Sequence, residues 1–522
     1  MTIVADVVEA GHHIGGEQVA AHGGRTFESR NPAHVADVVG RFARGDADDV
    51  DHAVRVARGA WQQWRSVPWP ARGEIVLAAA ELLEQRKEEL ARLMTREMGK
   101  VLTEARGDVQ EAIDMGKFVA GEGRRAYGET VPSELRQKWA MTMRQPFGVV
   151  GCITPWNFPI AIPSWKVFPA VMAGNAVVLK PAEDTPMCAL RFVEVLEEAG
   201  LPRGVLNVVF GFGEEAGDAL VRHPDAKAIY FTGSVATGRV VAETCGRLLK
   251  KCSLELGGKN AMVVLADADL ELAVDGAVWG AFGTAGQRCT ATSRLIVEQA
   301  VLDAFTESLI ARTAALRLGD GLDPQVDVGP VINEAQLRRV DGYTRIGIAE
   351  GARRVIGGQI ARAGALAEGW FYTPTVFTGV RPEMRIAQEE IFGPTTAVLP
   401  VSSVHDALDV ANSTHYGLSL SVYTNDLRHA FQAIERLHSG IVYVNAPTIG
   451  AEIQLPFGGT RDTGNGHREA GGRVLDEFSE WKSIYIDYSG RLQRAQIDTY
   501  AEESAPDRSD VSASHRSSAS AG

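Results

Sequence analysis

Cysteine is scarce in this chain: 522 residues hold only five, at positions 152, 188, 245, 252 and 289. None makes a Cys-x-x-Cys pair, which argues against both a disulfide-stapled secreted domain and a structural zinc site. His12 and His13 are read as part of a mobile N-terminal segment and not as metal ligands, so no metal is expected. Long apolar runs are missing too. The most hydrophobic stretches, Phe147–Ile153 and Ala170–Leu179, are broken by Gly or Asn well short of a membrane span. The opening Met-Thr-Ile-Val-Ala-Asp has neither the basic start of a secretory signal nor the Arg-rich bias of a transit peptide, so the cytoplasm is the expected compartment. Basic charge is in deficit, with 53 Lys and Arg against 66 Asp and Glu and a formal net charge of -13. Nucleic acid and anionic membrane are therefore not expected partners.

Hydrophobic residues make up 45% and charged residues 23% of the chain, ordinary values for a folded protein whose length calls for at least two lobes. From about Ala47 to Ala126 apolar residues recur at helical spacing, beginning after an acidic cluster at Asp48, Asp49 and Asp51. Short β-branched runs then alternate with amphipathic helices: Asn175–Lys180, Val205–Val209 and Ala228–Phe231. A second such series starts near Asn260 and includes Ser293–Val297, Thr395–Leu399 and Gly440–Asn445. This rhythm predicts an α/β fold with parallel sheets. Lys138–Gln145 and Trp481–Tyr488 alternate at period two, far from any βα unit, and read as a small β-ribbon whose free edges invite a partner subunit. The Ser- and Ala-rich tail beyond Gln496 reads as disordered.

Several spacings carry chemistry. Gly211-Phe-Gly213-Glu-Glu-Ala-Gly217 is close to a dinucleotide fingerprint, but its last glycine comes one residue late. Phe231-Thr232-Gly233-Ser234 joins a strand end to a helix start, where free amides suit a pyrophosphate. Lys180-Pro-Ala-Glu183 stands at a strand's carboxyl end, placed to bond ribose hydroxyls. The Glu183 carboxylate there would repel a 2'-phosphate, favouring NAD over NADP. Cys289 lies in a glycine-interrupted loop beside Arg288, and Glu255 precedes paired glycines that allow close backbone approach.

Together these segments resemble the aldehyde dehydrogenase superfamily. The resemblance runs from about Asn31 to Tyr488, on Gly286-Gln-Arg-Cys289, Glu255-Leu-Gly-Gly-Lys259, Pro155-Trp-Asn157-Phe-Pro159, Lys180-Pro-Ala-Glu183, Phe231-Thr-Gly-Ser234, Glu390-Ile-Phe392-Gly-Pro394 and Pro456-Phe-Gly-Gly459. It implies a Rossmann-type cofactor lobe, an α/β catalytic lobe and a β-ribbon oligomerisation element. The expected boundaries are 1–130 and 150–258 for an NAD-binding domain, 259–456 for a catalytic domain, 131–149 and 474–495 for bridging strands, and 496–522 for the tail. It implies Cys289 as nucleophile, Glu255 as general base and Asn157 as anion-hole donor. NAD would be held by Thr154, Pro155, Trp156, Lys180, Glu183, Gly213, Gly217, Phe231, Thr232, Gly233, Ser234, Leu256, Gly257, Glu390 and Phe392. The reaction implied is oxidation of a small-molecule aldehyde to an acid, by a homodimer or homotetramer. A CoA-acylating relative and a catalytically silent member are the alternatives, and the presence of Cys289 and Glu255 argues against both.

Within the superfamily, Thr284–Thr290 and Pro447–Ile453 are similar to segments of the α-aminoadipic semialdehyde (antiquitin) branch. That likeness implies substrate contacts from Glu111, Gly450, Ala451 and Phe457. Departures occur after Gly459 and at Trp156, leaving glutamate semialdehyde, succinate semialdehyde and simple aldehydes open as substrates.

Overall fold

Five strands whose residues are mostly buried lie parallel in the order Lys251–Glu255, Ala226–Thr232, Val149–Ile153, Ala176–Lys180, Leu206–Val208. In chain sequence this is the doubly wound order, with its switch point between Val149–Ile153 and Ala226–Thr232, where α/β sheets open a crevice at their carboxyl ends. The computed structural model describes residues 7–497, so nearly all of the tail read as disordered lies outside the described residues.

The sheet does not end at Leu206–Val208. His12–Ile14 adds antiparallel to it, and Glu17–Val19 follows. This corrects the expectation of a mobile N-terminal segment, because His12 and His13 are 0% and 5% exposed. The physical reason is local pairing. Phe210 donates its N–H to His12 Nδ1 at 3.2 Å, His12 Nε2 lies 3.4 Å from Asp49, and His13 Nε2 lies 2.8 Å from Glu197.

The helical region from Ala47 resolves into four helices, Ala47–Trp64, Trp69–Gln85, Lys87–Met98 and Leu102–Glu122. Asp46 starts the first with a capping box shared with Asp49. On the fourth, Glu104, Asp108 and Glu111 recur at helical spacing and so share one face.

A second sheet runs Arg353–Ile356, Thr375–Thr378, Thr395–Val401, Thr292–Glu298, Asn260–Val264, Ser419–Tyr423, Ile441–Val444. All neighbours are parallel except the first pair. Its core gathers Met262, Val263, Leu295, Ile296, Val398 and Leu399, while Val54, Val178, Ile229 and Leu254 belong to a separate cluster under the first sheet. Both sheets lie in one compact unit, Met1–Arg125 with Pro146–Phe478. Among the described residues, 126–145 with 479–497 form the other, which holds a three-stranded sheet ordered Ser479–Asp487, Lys138–Pro146, Thr130–Val131. Among the described residues no helix is long and apolar enough to cross a membrane.

Candidate functional site

Only four residues, Leu256–Lys259, separate the last parallel strand of the first sheet from Asn260–Val264 of the second. Glu255 ends the one strand, and its carbonyl accepts from Gly233 N–H at 3.1 Å. Gly257 and Gly258 cannot carry a side chain here. A Cβ on Gly257 would lie 2.4 Å from Glu390 Oε2, and one on Gly258 would lie 2.6 Å from the Cys289 carbonyl oxygen. Gly258 N–H donates to Glu390 Oε1 at 2.9 Å, and Asn260 Nδ2 donates to the Cys289 carbonyl at 2.8 Å. The glycine pair thus brings Glu390 and the Cys289 backbone to opposite sides of one loop.

Two cavities share Cys289 as a wall. The first is lined by Pro155, Trp156, Asn157, Thr232, Gly233, Ser234, Leu256, Gly257, Glu390 and Phe392, together with Gln336 and Arg339. Phe392 is held at φ +62°, Gln336 Nε2 donates to its carbonyl at 2.6 Å, and its ring meets Trp156 edge-on at 5.4 Å. Ser234 caps the helix Val235–Arg247 by accepting from Thr237 N–H at 3.2 Å, so that helix opens beside Gly233. The second cavity is lined by Glu111, Phe158, Trp165, Glu255, Arg288, Gly450, Ala451, Phe457 and Glu469, and shares Ile162, Thr232 and Leu256 with the first.

Gly213, Gly217 and Phe231 line a separate cleft with Ile153, Thr237 and Val241. Lys180 and Glu183 line none of these three spaces. They pair with each other at 3.0 Å at the carboxyl end of Ala176–Lys180. Thr154 is buried beside them, its N–H bonded to the Lys180 carbonyl at 3.1 Å, while its hydroxyl has no partner among the described residues.

The charges are set by burial. Desolvation pushes the Cys289 thiol up to about 12, with Glu390, Glu255 and Glu111 adding repulsion against a thiolate. Burial and then the nearby Glu469 hold Glu255 well above the usual carboxylate range. Both Glu255 carboxylate oxygens are enclosed without a hydrogen-bond partner among the described residues. Glu111 is raised to about 8 by burial and by Asp108 on the same helix. Asn157 is 3% exposed, and its amide donates to the Gln287 carbonyl at 3.0 Å. Its other N–H is left for a ligand.

Reading the sequence did not single out Gln336, Arg339 or Lys166. Gln336 and Arg339 sit on the helix Glu334–Ala349, remote in sequence from every recognised motif, so nothing local marked them. Lys166 did carry a signal. It is the only charge in the helix Ala161–Met172, fully buried, and it pairs with Glu469 beside Glu255. A buried lysine in an apolar helix needs such a partner.

A free thiol, a buried carboxylate and an amide donor around one junction can perform nucleophilic addition to a carbonyl followed by hydrolysis. A family model described as the aldehyde dehydrogenase family matches residues 19–484. The chain is 40% identical to an alpha-ketoglutaric semialdehyde dehydrogenase of Bacillus subtilis, covering 93% of this chain and 100% of that one. It is 39% identical to a 2,5-dioxopentanoate dehydrogenase of Saccharolobus solfataricus, covering 88% and 96%. Among solved structures, a betaine aldehyde dehydrogenase of Staphylococcus aureus in complex with NAD+ superposes with a TM-score of 0.91 at 34% identity, covering 94% of this chain and 97% of that one.

With its thiol held at about 12, Cys289 in the free protein should react with iodoacetamide about tenfold faster for each pH unit between 7 and 10, following the thiolate fraction. Peptide mapping of the modified cysteine measures this. A plateau below pH 9 would mean that burial does not govern the thiol.

Proposed function

The chain belongs to the aldehyde dehydrogenase family as an NAD-dependent enzyme, and from that premise we propose that it oxidises a carboxylate-bearing semialdehyde through a thioester on Cys289. The observation that carries this reading is the position of Cys289 as the shared wall of two cavities, one suited to a cofactor and one to a substrate.

The first cavity fits a dinucleotide. The helix Val235–Arg247 opens beside Gly233, and a helix start suits phosphate, while the buried Thr232 hydroxyl lacks a partner among the described residues. Glu390 and Phe392, which line this cavity, would hold the nicotinamide riboside, while Lys180 and Glu183, paired with each other outside it, would take the adenosine ribose. Glu183 makes NAD the preferred cofactor over NADP. NAD supplies the hydride acceptor.

Chemistry on the protein side runs in two halves. The Cys289 thiolate adds to the aldehyde carbon, and the carbonyl electron pair moves to oxygen, where the Asn157 amide and the Cys289 N–H stabilise it. Loss of hydride leaves a thioester. Glu255 then takes a proton from water as the resulting hydroxide attacks the acyl carbon, the C–S bond breaks with its electron pair going to sulfur, and carboxylic acid and thiolate are released, the acid losing its proton to solvent. Its raised affinity for protons makes Glu255 a stronger base, present as carboxylate in growing proportion as pH rises.

For the substrate, the second cavity offers one guanidinium, Arg288, 13% exposed, together with Glu111. Raised to about 8, Glu111 is mostly protonated at neutral pH and donates to a carboxylate or carbonyl oxygen instead of repelling it. Both semialdehyde relatives act, by name, on a 2-oxo acid with a terminal aldehyde. Free thiols at all five cysteines suit the reducing cytoplasm.

The small sheet of the second unit supports a homo-oligomer, dimer or tetramer. Trp139, Trp481 and Tyr485 are 56%, 49% and 68% exposed on it, a large apolar area for a ribbon to leave in water. Sedimentation equilibrium should give a multiple of the one-chain 56.1 kDa, and a fully active species at that single mass would refute the assembly.

Glu255→Gln should release NADH in a first burst and then stall, since only the second half needs the base, whereas Cys289→Ala should lose both phases. Rapid mixing distinguishes them, and steady-state turnover near wild type in either variant would remove that residue from the mechanism.

Measured with NAD, kcat/KM for alpha-ketoglutaric semialdehyde should exceed that for pentanal by about tenfold or more, and Arg288→Met should erase most of the gap. NADP should serve less well than NAD. Equal efficiency for the charged and uncharged aldehydes would overturn the substrate assignment.

A further inference from the structure

The loop that carries Cys289 is held in an unfavourable backbone conformation by a carboxylate outside every motif so far described. Thr284, Ala285 and Gly286 have φ of +54°, +52° and +68°, three successive residues in the left-handed region, of which only glycine adopts it freely. Such a turn persists only where its surroundings over-determine it. Glu104, in the first turn of the helix Leu102–Glu122, supplies that. Both of its carboxylate oxygens accept from Thr284 N–H at 2.8 Å, and Oε2 also accepts from the Thr284 hydroxyl at 3.2 Å. Arg288 Nη2 donates to Oε1 at 3.2 Å, and Arg288 Nε donates to the Thr284 hydroxyl at 3.0 Å. One carboxylate therefore grips both ends of the segment Thr284–Arg288, immediately before the thiol. A side chain on Gly283 would meet the same carboxylate at 2.9 Å, so Glu104 is packed onto the loop and not merely near it.

The consequence reaches the anion hole. The Thr284 carbonyl accepts from Gln287 N–H at 3.0 Å and from Gln287 Nε2 at 3.2 Å, and the Gln287 carbonyl accepts from the Asn157 amide at 3.0 Å. Fixing Thr284 fixes Gln287, which orients Asn157, while Arg288 fixes the peptide that gives Cys289 its N–H. Four residues along, Asp108 accepts from Ala161 N–H at 2.8 Å and pairs with Lys100 at 2.9 Å, steadying the segment that follows Asn157.

We propose that Glu104 is a positioning residue that aligns the Cys289 thiol and the two anion-hole donors by clamping the left-handed turn Thr284–Gly286. It touches neither cofactor nor substrate and acts through Thr284 and Arg288. The inference rests on Cys289 as nucleophile, so its test carries Cys289→Ala as a control. If that control keeps turnover, the nucleophile assignment fails, whatever Glu104 does.

Glu104→Ala should lower kcat and the rate of the NADH burst together, by about tenfold to a hundredfold, the size expected for a misplaced reacting group. NAD affinity, read by fluorescence titration, should stay within about twofold, because Glu390, Phe392, Lys180 and Glu183, the groups proposed to hold the two riboses, lie outside the clamp. Glu104→Gln keeps the shape and an oxygen for the Thr284 amide but loses the ion pair with Arg288, and should recover part of the burst rate. Carboxymethylation of Cys289, read by peptide mapping independently of activity, should change in the order wild type, Gln, Ala. Burst rate and Cys289 reactivity within twofold of wild type in a folded Glu104→Gln and Glu104→Ala would overturn the proposal. So would a loss that follows NAD affinity or melting temperature alone. Should the alanine variant not fold, the glutamine variant decides by the same two readouts.

Discussion

The site depends on how closely backbone approaches backbone at Gly257 and Gly258. On one side Glu390 lies where a Gly257 side chain would be, and on the other the Cys289 carbonyl lies where a Gly258 side chain would be. A side chain at Gly258 would push against the Cys289 backbone, and one at Gly257 would displace the Glu390 carboxylate. The same short loop joins the carboxyl end of a strand in one sheet to the amino end of a strand in the other, so the Glu255 carboxylate and the Cys289 thiol are set by two separately packed cores. Rigid sheets position the groups, and glycine removes the obstruction between them.

Around this junction the electrostatics follow from exclusion of water. Cys289, Glu255, Glu111 and Glu390 are all held toward their neutral forms by burial, and the three carboxylates make the Cys289 thiol harder still to ionise. Lys259, two residues beyond Gly257, is lowered to about 7 by the same cause. Lys166, paired with Glu469, is one of the few compensating cations, which is why a lysine is tolerated inside an otherwise apolar helix.

Helix Leu102–Glu122 gives a second example of one element serving several parts of the site. Its three carboxylates at helical spacing meet three different things: the nucleophile loop at Glu104, the segment after Asn157 at Asp108, and the substrate cavity at Glu111. A helix is suited to this because its rise and rotation are fixed, so groups on one face keep their mutual distances regardless of what each touches.

Much of this was legible in the residues alone. Short β-branched runs alternating with helices located the strands Ala176–Lys180, Thr292–Glu298 and Thr395–Val401, and period-3.6 spacing located the helical region after Ala47, because buried strands are apolar throughout while helices bury one face. The glycine-flanked Cys289 and Glu255 stood out since their chemistry needs those residue types in unobstructed backbone. Other features had no local signature. His12 and His13 looked like loose N-terminal residues, yet they complete a sheet whose neighbouring strand lies nearly two hundred positions away. Glu104, Gln336 and Arg339 lay outside every motif. The sequence by itself determined the type of each element and the identity of the reactive groups, since both are properties of residues and their near neighbours. Only the tertiary structure decided which distant carboxylate clamps the nucleophile loop and which groups share a cavity, because those depend on long-range packing that brings together residues far apart in the chain.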